Sequence, residues 1–265
     1  MHAPASLEGR VITVVGGTSG IGLSAARALA AAGAKLVVTG RSQEKVEAAV
    51  AELDPAKAAG LAGDAAQPES SNRAVALAVE RFGRLDGLYH VAGGSGRSAG
   101  DGKLHEVSDG GVDHTIDHNL KSLIFSNRAA VQQFLAQGDG GAILNMGSVL
   151  GFSPSPEFFA SHVYAATKSA AIGFTKSIAS FYAKDGIRAN LLAPALVASP
   201  MSERAKANDE IMEFIQKKQP LDGGRIGRPE DLDAAALFFL SDASKFATGQ
   251  VLAVDGGWSV SEGRA

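Results

Sequence analysis

Short apolar runs alternate with helical patterns along almost the whole chain, and this order limits the possible folds more than any other feature. Seven runs predict buried parallel strands, at residues 11–15, 35–39, 58–62, 86–91, 142–146, 187–192 and 251–254. Helical patterns lie between them, at residues 20–32, 43–53, 70–82, 112–137, 160–184 and 229–240. This repeated order predicts a parallel sheet with helices on both faces. Because no linker or internal repeat interrupts it, we predict one α/β domain over residues 1–265.

The composition excludes several classes of protein. Hydrophobic residues make up 45% of the chain, which is enough for one large core. A formal net charge of −3 gives no electrostatic reason to expect a nucleic-acid or membrane partner. Because cysteine is absent, disulfides, thiolate metal sites and cysteine nucleophiles are excluded. Residues 1–10 lack the pattern of a secretory signal and no apolar run could cross a bilayer, so we expect a cytoplasmic protein.

A glycine-rich turn, formed by Gly16, Gly20 and Gly22, joins the first predicted strand to the first predicted helix. Glycine at these positions permits a tight turn and lets backbone N–H groups approach a pyrophosphate at the helix N-terminus. The same glycines could instead serve only to pack the helix against the strand. Their strand–turn–helix setting favours a nucleotide site at the carboxyl end of the sheet.

Tyr164 and Lys168 form a second motif, far downstream in the chain. Residues four positions apart lie on one face of a helix, so the lysine ammonium can approach the tyrosine hydroxyl. A neighbouring positive charge favours the phenolate and is expected to lower the pKa of Tyr164 from its ordinary value. Such a tyrosine can donate a proton to a carbonyl oxygen or accept one from an alcohol. Taken alone, the pair could equally be a solvated surface feature.

These motifs resemble the short-chain dehydrogenase/reductase family, and the likeness extends over residues 7–258. The family's turn, T-G-x-x-x-G-x-G, is present with Val15 in place of the threonine. Its N-N-A-G appears at residues 90–93 as H-V-A-G, where losing both asparagines should weaken local hydrogen bonding. The resemblance implies a single-domain, Rossmann-like, doubly wound parallel sheet. It also implies an NAD(P)-dependent oxidoreductase that transfers hydride between nicotinamide and a carbonyl or secondary alcohol.

The resemblance further implies a catalytic tetrad of Asn119, Ser148, Tyr164 and Lys168, and all four residues are present. Ser148 would orient the substrate oxygen and Tyr164 would transfer the proton. Lys168 would tune the tyrosine and contact the nicotinamide ribose, and Asn119 would hold a water molecule in a proton relay. Two alternatives stay open. One is a non-redox family member such as an epimerase, dehydratase or lyase, and the other is a catalytically idle nucleotide-binding scaffold.

Cofactor contacts are expected from the glycine-rich turn and from the ends of several strands. The expected residues are Gly16, Thr18, Ser19, Gly20, Ile21, Gly22, Arg41, Ser42, Asp64, Ala65, Ala92, Gly93, Tyr164, Lys168, Pro194, Val197 and Ser199. Arg41 lies where NAD-preferring relatives commonly place an aspartate. Because a guanidinium can pair with a 2′-phosphate, we predict that NADP(H) is preferred and that NAD(H) is possible. A surface arginine with no such role is the alternative.

Three segments are expected to surround the substrate, at residues 94–101, 151–163 and 199–221, and the last could act as a lid. They carry an apolar set formed by Phe152, Phe158, Phe159, Met201, Ile211, Met212 and Phe214. Arginine is scarce there beyond Arg97 and Arg204. If the apolar set faces the pocket, it favours a partly apolar ketone or secondary alcohol over a phosphorylated or many-charged substrate. The alternative is that these side chains pack the loops themselves or a subunit contact.

Two further features bear on metals and assembly. His114 and His118 could place two imidazoles on one metal, but no third ligand is evident, so we predict no metal site and histidines on a helix face near a subunit contact. Residues 225–257 resemble the family segment that packs across a two-fold axis, and residues 234–240 are apolar around much of a helix. We therefore expect a homotetramer, with a dimer as the alternative.

Overall fold

A seven-stranded parallel sheet forms the centre of the protein, in a computed structural model that describes residues 6–263. Its strands are β1 (Val11–Val15), β2 (Lys35–Gly40), β3 (Ala58–Ala62), β4 (Gly87–His90), β5 (Gly141–Met146), β6 (Ile187–Pro194) and β7 (Val251–Val254). Their order in the sheet is β3-β2-β1-β4-β5-β6-β7. The predicted fold class is therefore confirmed. The prediction that residues 1–10 contain no secretory signal falls partly outside the described residues.

Nine α-helices surround the sheet within residues 6–263. They are α1 (Gly20–Ala31), α2 (Gln43–Glu52), α3 (Pro68–Phe82), α4 (Asp109–Ile116), α5 (Ser122–Gln137), α6 (His162–Tyr182), α7 (Glu203–Lys206), α8 (Asp209–Lys218) and α9 (Asp233–Leu240). None of the helices in this part of the chain is both long and apolar enough to cross a membrane.

The pattern predicted as helical over residues 112–137 is helical throughout, but it is not one regular α-helix. A wider π turn at Asp117–Lys121 separates α4 from α5. The Asn119 side chain accounts for this locally, because its amide donates to the carbonyl of Thr115 over 2.9 Å and so competes for an acceptor that backbone N–H groups use in a regular helix. Turns of this kind often occur at functional sites.

The core lies on both faces of the sheet, because side chains alternate along each strand. On one face, Ile12 of β1 packs in a buried cluster with Leu29 of α1 and Phe239 of α9. On the other, Val11 of β1 packs in a cluster with Phe134 of α5. Fully burying one such side chain stabilises the fold by roughly 1.5–3 kcal/mol, so both helical layers are held by apolar contact.

The order of the strands reverses at β1. From β1 the sheet grows outward through β2 to β3, and the chain then returns to place β4 on the other side of β1. The connections after β1 and β4 leave in opposite directions, which opens a crevice at the carboxyl ends of these two strands. The glycine-rich turn follows β1, and Ala92 and Gly93 follow β4, so both sequence motifs lie at this crevice.

Candidate active site

A cleft of about 520 Å³ lies at the carboxyl edge of the sheet. It brings together most of the predicted site residues, from segments far apart in the chain. Those that line it are Gly16, Ser19, Ile21, Arg41, Ala92, Gly93, Ser148, Tyr164, Lys168, Pro194, Val197 and Ser199. Predicted residues that do not line it are Thr18, Gly20, Gly22, Ser42, Asp64, Ala65 and Asn119.

The glycine-rich turn is packed too closely for larger side chains. Gly16 has φ +85°, and a Cβ there would lie 2.8 Å from the backbone nitrogen of Ala92. A Cβ on Gly22 would lie only 2.1 Å from the Gly16 carbonyl oxygen. Helix α1 begins beside this turn with no acidic residue in its first turn, and the Ser19 side chain makes no capping hydrogen bond to it. Its first N–H groups can therefore serve an anion, with the helix dipole favouring negative charge.

The residues that follow β2 and β3 lie next to the glycine-rich turn. Arg41 lines the cleft directly after β2. The Ser42 hydroxyl accepts from the backbone N–H of Lys45 over 3.4 Å and caps α2. Asp64 follows β3, where its carboxylate accepts from the backbone N–H of Ala66 over 2.9 Å. The serine and the aspartate thus have local structural contacts of their own, while the arginine faces the cleft.

Tyr164 and Lys168 lie on the first turns of α6, and Lys168 is only 4% exposed. The lysine ammonium donates to the carbonyl of Met146 over 3.0 Å and lies 5.5 Å from the centre of the tyrosine ring. Burial lowers the pKa of Lys168 to about 8. Burial also raises the pKa of Tyr164 to about 12, although a hydrogen bond with Ser148 opposes this. The expectation that the pKa of Tyr164 lies below its ordinary value is therefore wrong, because desolvation of the phenolate outweighs the favourable contacts.

Ser148 follows β5 and faces Tyr164. Its hydroxyl accepts from the backbone N–H of Leu150 over 3.2 Å, which fixes the side chain at the start of a short helical turn. Tyr164 lines the same cleft, and its interaction with Ser148 partly opposes the rise in the tyrosine pKa. Two residues that carry hydroxyl groups thus line the same cleft, where both could reach one substrate oxygen.

Asn119 lies behind the cleft rather than on its surface. Its side chain donates to the Gly94 carbonyl over 2.8 Å and accepts from the Gly94 N–H over 3.1 Å. A Cβ on Gly93 would lie 2.6 Å from the Asn119 side-chain oxygen and 3.6 Å from the Lys168 nitrogen. Asn119 therefore holds the loop after β4 next to the lysine.

His90 replaces the asparagine whose loss was expected to weaken the central strand. Its imidazole lies 2.8 Å from the Ser126 hydroxyl and 3.4 Å from that of Ser122, both on α5. Burial, reinforced by the charge of Lys168, lowers the pKa of His90 to about 3. The histidine is therefore neutral at physiological pH, and it restores hydrogen bonding between the strand and the helix.

Asp101 is a positioning residue that sequence reasoning missed. Its buried carboxylate accepts from the backbone N–H of Tyr164 over 2.8 Å and from that of Val163 over 3.2 Å. It therefore caps α6 at the turn that carries the tyrosine. No local pattern signals this contact, because the aspartate lies 63 residues before its partner.

The apolar set predicted to face the substrate divides into two groups. Phe159 and Met201 line the cleft, together with Trp258, whose position there the sequence did not indicate. Phe158 and Phe214 instead pack against each other, with rings tilted by 54° and centres 5.3 Å apart. Ile211 is buried in the same cluster, and Phe152 is 44% exposed. The loops thus use much of their apolar surface to pack against each other, which was the alternative interpretation.

The two histidines on α4 and the π turn lie side by side on the helix. The rings of His114 and His118 stack with centres 3.9 Å apart, and His118 Nδ1 lies 3.0 Å from the carbonyl of His114. Within residues 6–263, no cluster of three or more histidine or carboxylate side chains could hold a metal ion.

Comparisons with known proteins identify the family. A family model described as enoyl-(acyl carrier protein) reductase matches residues 15–259. Galactitol 2-dehydrogenase (L-tagatose-forming) of Cereibacter sphaeroides is 35% identical over 257 residues, which is 96% of either chain. The A-factor type γ-butyrolactone 1′-reductase of Streptomyces virginiae is 33% identical over 258 residues, covering 96% of this chain and 97% of the relative.

A solved structure from Beutenbergia cavernae agrees with these relatives. This protein, provisionally described as an NAD(P)-dependent gluconate 5-dehydrogenase and containing NADP at low occupancy, superimposes with a TM-score of 0.86 and 34% identity. The match covers 97% of this chain and 99% of that protein. The chain belongs to the short-chain dehydrogenase/reductase family. It is an NAD(P)-dependent oxidoreductase that acts on alcohol and carbonyl groups.

The residues in the cleft fit the family's nicotinamide dinucleotide. The N–H groups at the start of α1 suit a pyrophosphate, and Gly16 lets the ends of β1 and β4 come close enough to form a narrow crevice. Lys168 and Arg41 add positive charge along the same cleft. This donor set, which combines backbone amides with two cations, suits a phosphate-bearing ligand.

Proposed function

We propose that Tyr164 exchanges the proton of the substrate oxygen and that Ser148 holds that oxygen in place. The observation that carries this proposal is that Ser148 and Tyr164 line one cleft beside the buried ammonium of Lys168, which donates to the Met146 carbonyl over 3.0 Å. When bound, the nicotinamide supplies or accepts the hydride, and the protein provides orientation and the proton. Asn119 acts from behind by holding the Gly93–Gly94 backbone against the lysine.

The protonation states of Tyr164 and Lys168 favour carbonyl reduction, in which the tyrosine donates its proton. With its pKa raised to about 12, Tyr164 is protonated at neutral pH and can donate to a carbonyl oxygen. Alcohol oxidation needs the phenolate, so it becomes easier as the pH rises. Lys168 is charged below a pH of about 8, and its charge favours the phenolate that each reduction leaves behind.

A substrate panel tests this function directly. The chain is mixed with NADPH or NADH and a series of ketones, and with the oxidised cofactors and secondary alcohols, while nicotinamide absorbance is followed. We expect hydride turnover with at least one class of compound. Turnover of a substrate without net nicotinamide oxidation would instead indicate an epimerase or lyase, and cofactor binding without any turnover would indicate an idle scaffold.

NADP(H) is the preferred cofactor in this proposal, and NAD(H) remains possible. Arg41 supports it because the guanidinium lines the cleft after β2, where it can pair with a 2′-phosphate. The NADP found in the B. cavernae structure is consistent with this choice. Dissociation constants for NADPH and NADH, measured with wild type and Arg41→Ala, provide the test. Equal affinities for NADPH and NADH, unchanged in Arg41→Ala, would contradict the proposed preference for NADP(H).

We further propose that the protein assembles as a homotetramer, with a dimer as the alternative. Strand β7 is an edge of the sheet, and the exposed side chains of Phe246, Leu252 and Phe238 lie on or near it and α9. Covering apolar surface of this kind drives association. Light scattering that reports a monomer at micromolar concentration would reject both states.

The cytoplasmic location rests on the sequence alone, and fractionation of cells that express the tagged chain tests it.

Residues 199–221 are proposed to act as a lid over the substrate. Met201 is 54% exposed and lines the cleft, whereas Ile211 and Ile215 of α8 are buried against Trp258. The segment thus rests on an apolar base while its leading edge faces the cleft. Slower hydrogen exchange of these amides when cofactor and substrate are both present would support closure, and unchanged exchange would reject it.

A further inference from the structure

Two guanidinium groups from different segments converge at the cleft. Arg97 begins a short turn after β4, and Arg204 lies on α7. Both side chains line the cavity that contains the Ser148 and Tyr164 hydroxyls. Each donates an N–H to the same oxygen, the carbonyl of Phe158, over 3.3 Å. One neutral acceptor thus brings two positive charges together.

Neither of these two charges is balanced by an acid. Among residues 6–263, Arg10, Arg27, Arg84 and Arg225 each pair with a carboxylate within 4.0 Å, whereas Arg97 and Arg204 are among the arginines that do not. Asp101 attracts Arg97, but the carboxylate already accepts from three backbone N–H groups. Burial and the charge of Arg204 both lower the pKa of Arg97. The two guanidiniums therefore repel each other, and an anion between them would relieve that repulsion.

A partly buried arginine elsewhere in the chain shows what a purely structural role looks like. Arg188 donates from both terminal nitrogens, to the carbonyls of Phe239 and Ser241 and to the Ser244 hydroxyl. It lies outside the cleft. Arg97, in contrast, makes hydrogen bonds within the described chain through one terminal nitrogen only. A guanidinium offers five N–H donors, so most of those on Arg97 stay available to a ligand in the cleft.

We infer that Arg97 and Arg204 select substrates that carry a carboxylate away from the reacting carbon, that is, keto or hydroxy monocarboxylates. The inference rests on the proposed function of the cleft. Arginine matches the two oxygens of a carboxylate through paired N–H donors. The apolar wall formed by Phe159, Met201 and Trp258 suits a partly hydrocarbon body between the carboxylate and the carbonyl. This refines the expectation of a partly apolar substrate by adding one negative charge to it.

The kinetic test compares a keto acid with its own amide and with a phosphate ester of similar length. The readout is the ratio of kcat/KM for the acid to that for the amide, measured in each variant. We expect wild type to prefer the acid, and Arg204→Met to lower the ratio about tenfold or more, chiefly through KM, because a charged hydrogen-bonded pair is lost. Arg204→Lys should restore part of the ratio, since it keeps the charge.

Arg73→Met is the matched control, because Arg73 is exposed on α3 and does not line the cleft. Its ratio should equal that of wild type. Arg204 is the main target because its side chain is exposed, whereas Arg97 also holds the carbonyl of Ala160 over 3.2 Å and could disturb the loop when replaced. Equal kcat/KM values for acid and amide in wild type, unchanged in Arg204→Met, would overturn the inference and leave the proposed function intact. A preference for the phosphate ester would overturn the choice of a carboxylate.

A binding measurement separates failure of the inference from failure of the proposed function. Trp258 is the single tryptophan of the chain, and it lines the cleft. Its fluorescence can report a titration with benzoate against benzamide, in the presence of the cofactor and without turnover. We expect tighter binding of benzoate, lost in Arg204→Met and kept in Arg73→Met. If no compound in the kinetic panel is turned over, the proposed function fails, while equal binding of benzoate and benzamide would refute the anion site itself.

Discussion

The two sides of the cleft are held by different kinds of contact. On one side, which we call the strand-end side, residues directly following β1, β2 and β4 are positioned by the sheet and by close backbone packing, as when Gly16 lies against Ala92. On the other, the loop side, residues 95–108, 151–163 and 199–221 are held by long-range side-chain contacts. Trp258, for example, donates to the Ser153 carbonyl across 105 positions in sequence.

This difference indicates which residues of the cleft can be substituted without disturbing the fold. A strand-end residue cannot move unless the sheet moves, so the nucleotide chemistry is coupled to the stability of the whole fold. Loop residues are fixed by aromatic packing such as that of Phe159 against Trp258, with ring centres 5.6 Å apart, and by arginines that donate to carbonyls. Those contacts can be exchanged without altering the sheet. We therefore expect substitutions on the loop side to change substrate choice first.

The largest expected effect is the loss of the transferable proton. Tyr164→Phe keeps the ring and its packing but removes the hydroxyl, so kcat should fall by about 10²- to 10⁴-fold while cofactor affinity is retained. Steady-state kinetics and a cofactor titration measure the two quantities. Tyr182→Phe, at the far end of the same helix, is the control and should behave as wild type. A Tyr164→Phe variant with wild-type kcat would disprove the assigned role.

A smaller effect is expected from pH, and its sign follows from burial. Tyr164 stays protonated up to a pH of about 12, so its protonation does not limit carbonyl reduction in the ordinary pH range. Lys168 loses its charge as the pH rises through about 8, which removes the ammonium that favours the developing phenolate. The kcat for reduction should therefore be level below this pH and decline above it, approaching tenfold per unit if the charge is essential. A pH–rate profile that stays level to pH 10 would contradict this.

Sequence reasoning works best where spacing along the chain determines position in space. The pairing of Tyr164 with Lys168 could be predicted because an i, i+4 spacing on a helix converts directly into geometry, whereas Ser148 was predicted through the family resemblance. Asp101 could not, because its contact with α6 depends on a loop folding back across 63 residues. The raised pKa of Tyr164 was missed for a related reason, since the depth of burial follows from the packing of several segments. The π turn combines a local contact with a tertiary one, since the Asn119 amide donates both to Thr115 and to the loop after β4.

Asp101 joins the loop side of the cleft to helix α6, so replacing it tests how far the loops control the position of Tyr164. Asp101→Asn keeps one acceptor oxygen but removes the negative charge at the start of α6, which should cost about 1 kcal/mol of stability. Because the N–H of Tyr164 loses a charged partner, kcat should also fall by roughly tenfold with KM little changed, if misplacing the hydroxyl is the cause. Asp113→Asn, exposed on α4, is the control. Kinetics well below the melting temperature separate the two effects, and a lower Tm with unchanged kcat would show that the aspartate is only structural.

The smallest effect on rate is expected at His90, which belongs to the core beneath the strand-end side. Its pKa is lowered from 6.5 to about 3 in the folded protein, so the unfolded chain binds the extra proton more readily between these values. Stability should therefore fall as the pH drops below 6.5, by up to about 1.4 kcal/mol per unit. His90→Asn removes this titration. Urea unfolding should therefore show a smaller decrease in unfolding free energy from pH 7 to pH 5 than in wild type. His105→Asn, which is exposed, should keep the wild-type loss. If wild type and His90→Asn lose the same unfolding free energy between pH 7 and pH 5, the buried histidine does not contribute to the pH dependence. A changed substrate preference in His90→Asn would show that the two sides of the cleft are coupled through the core.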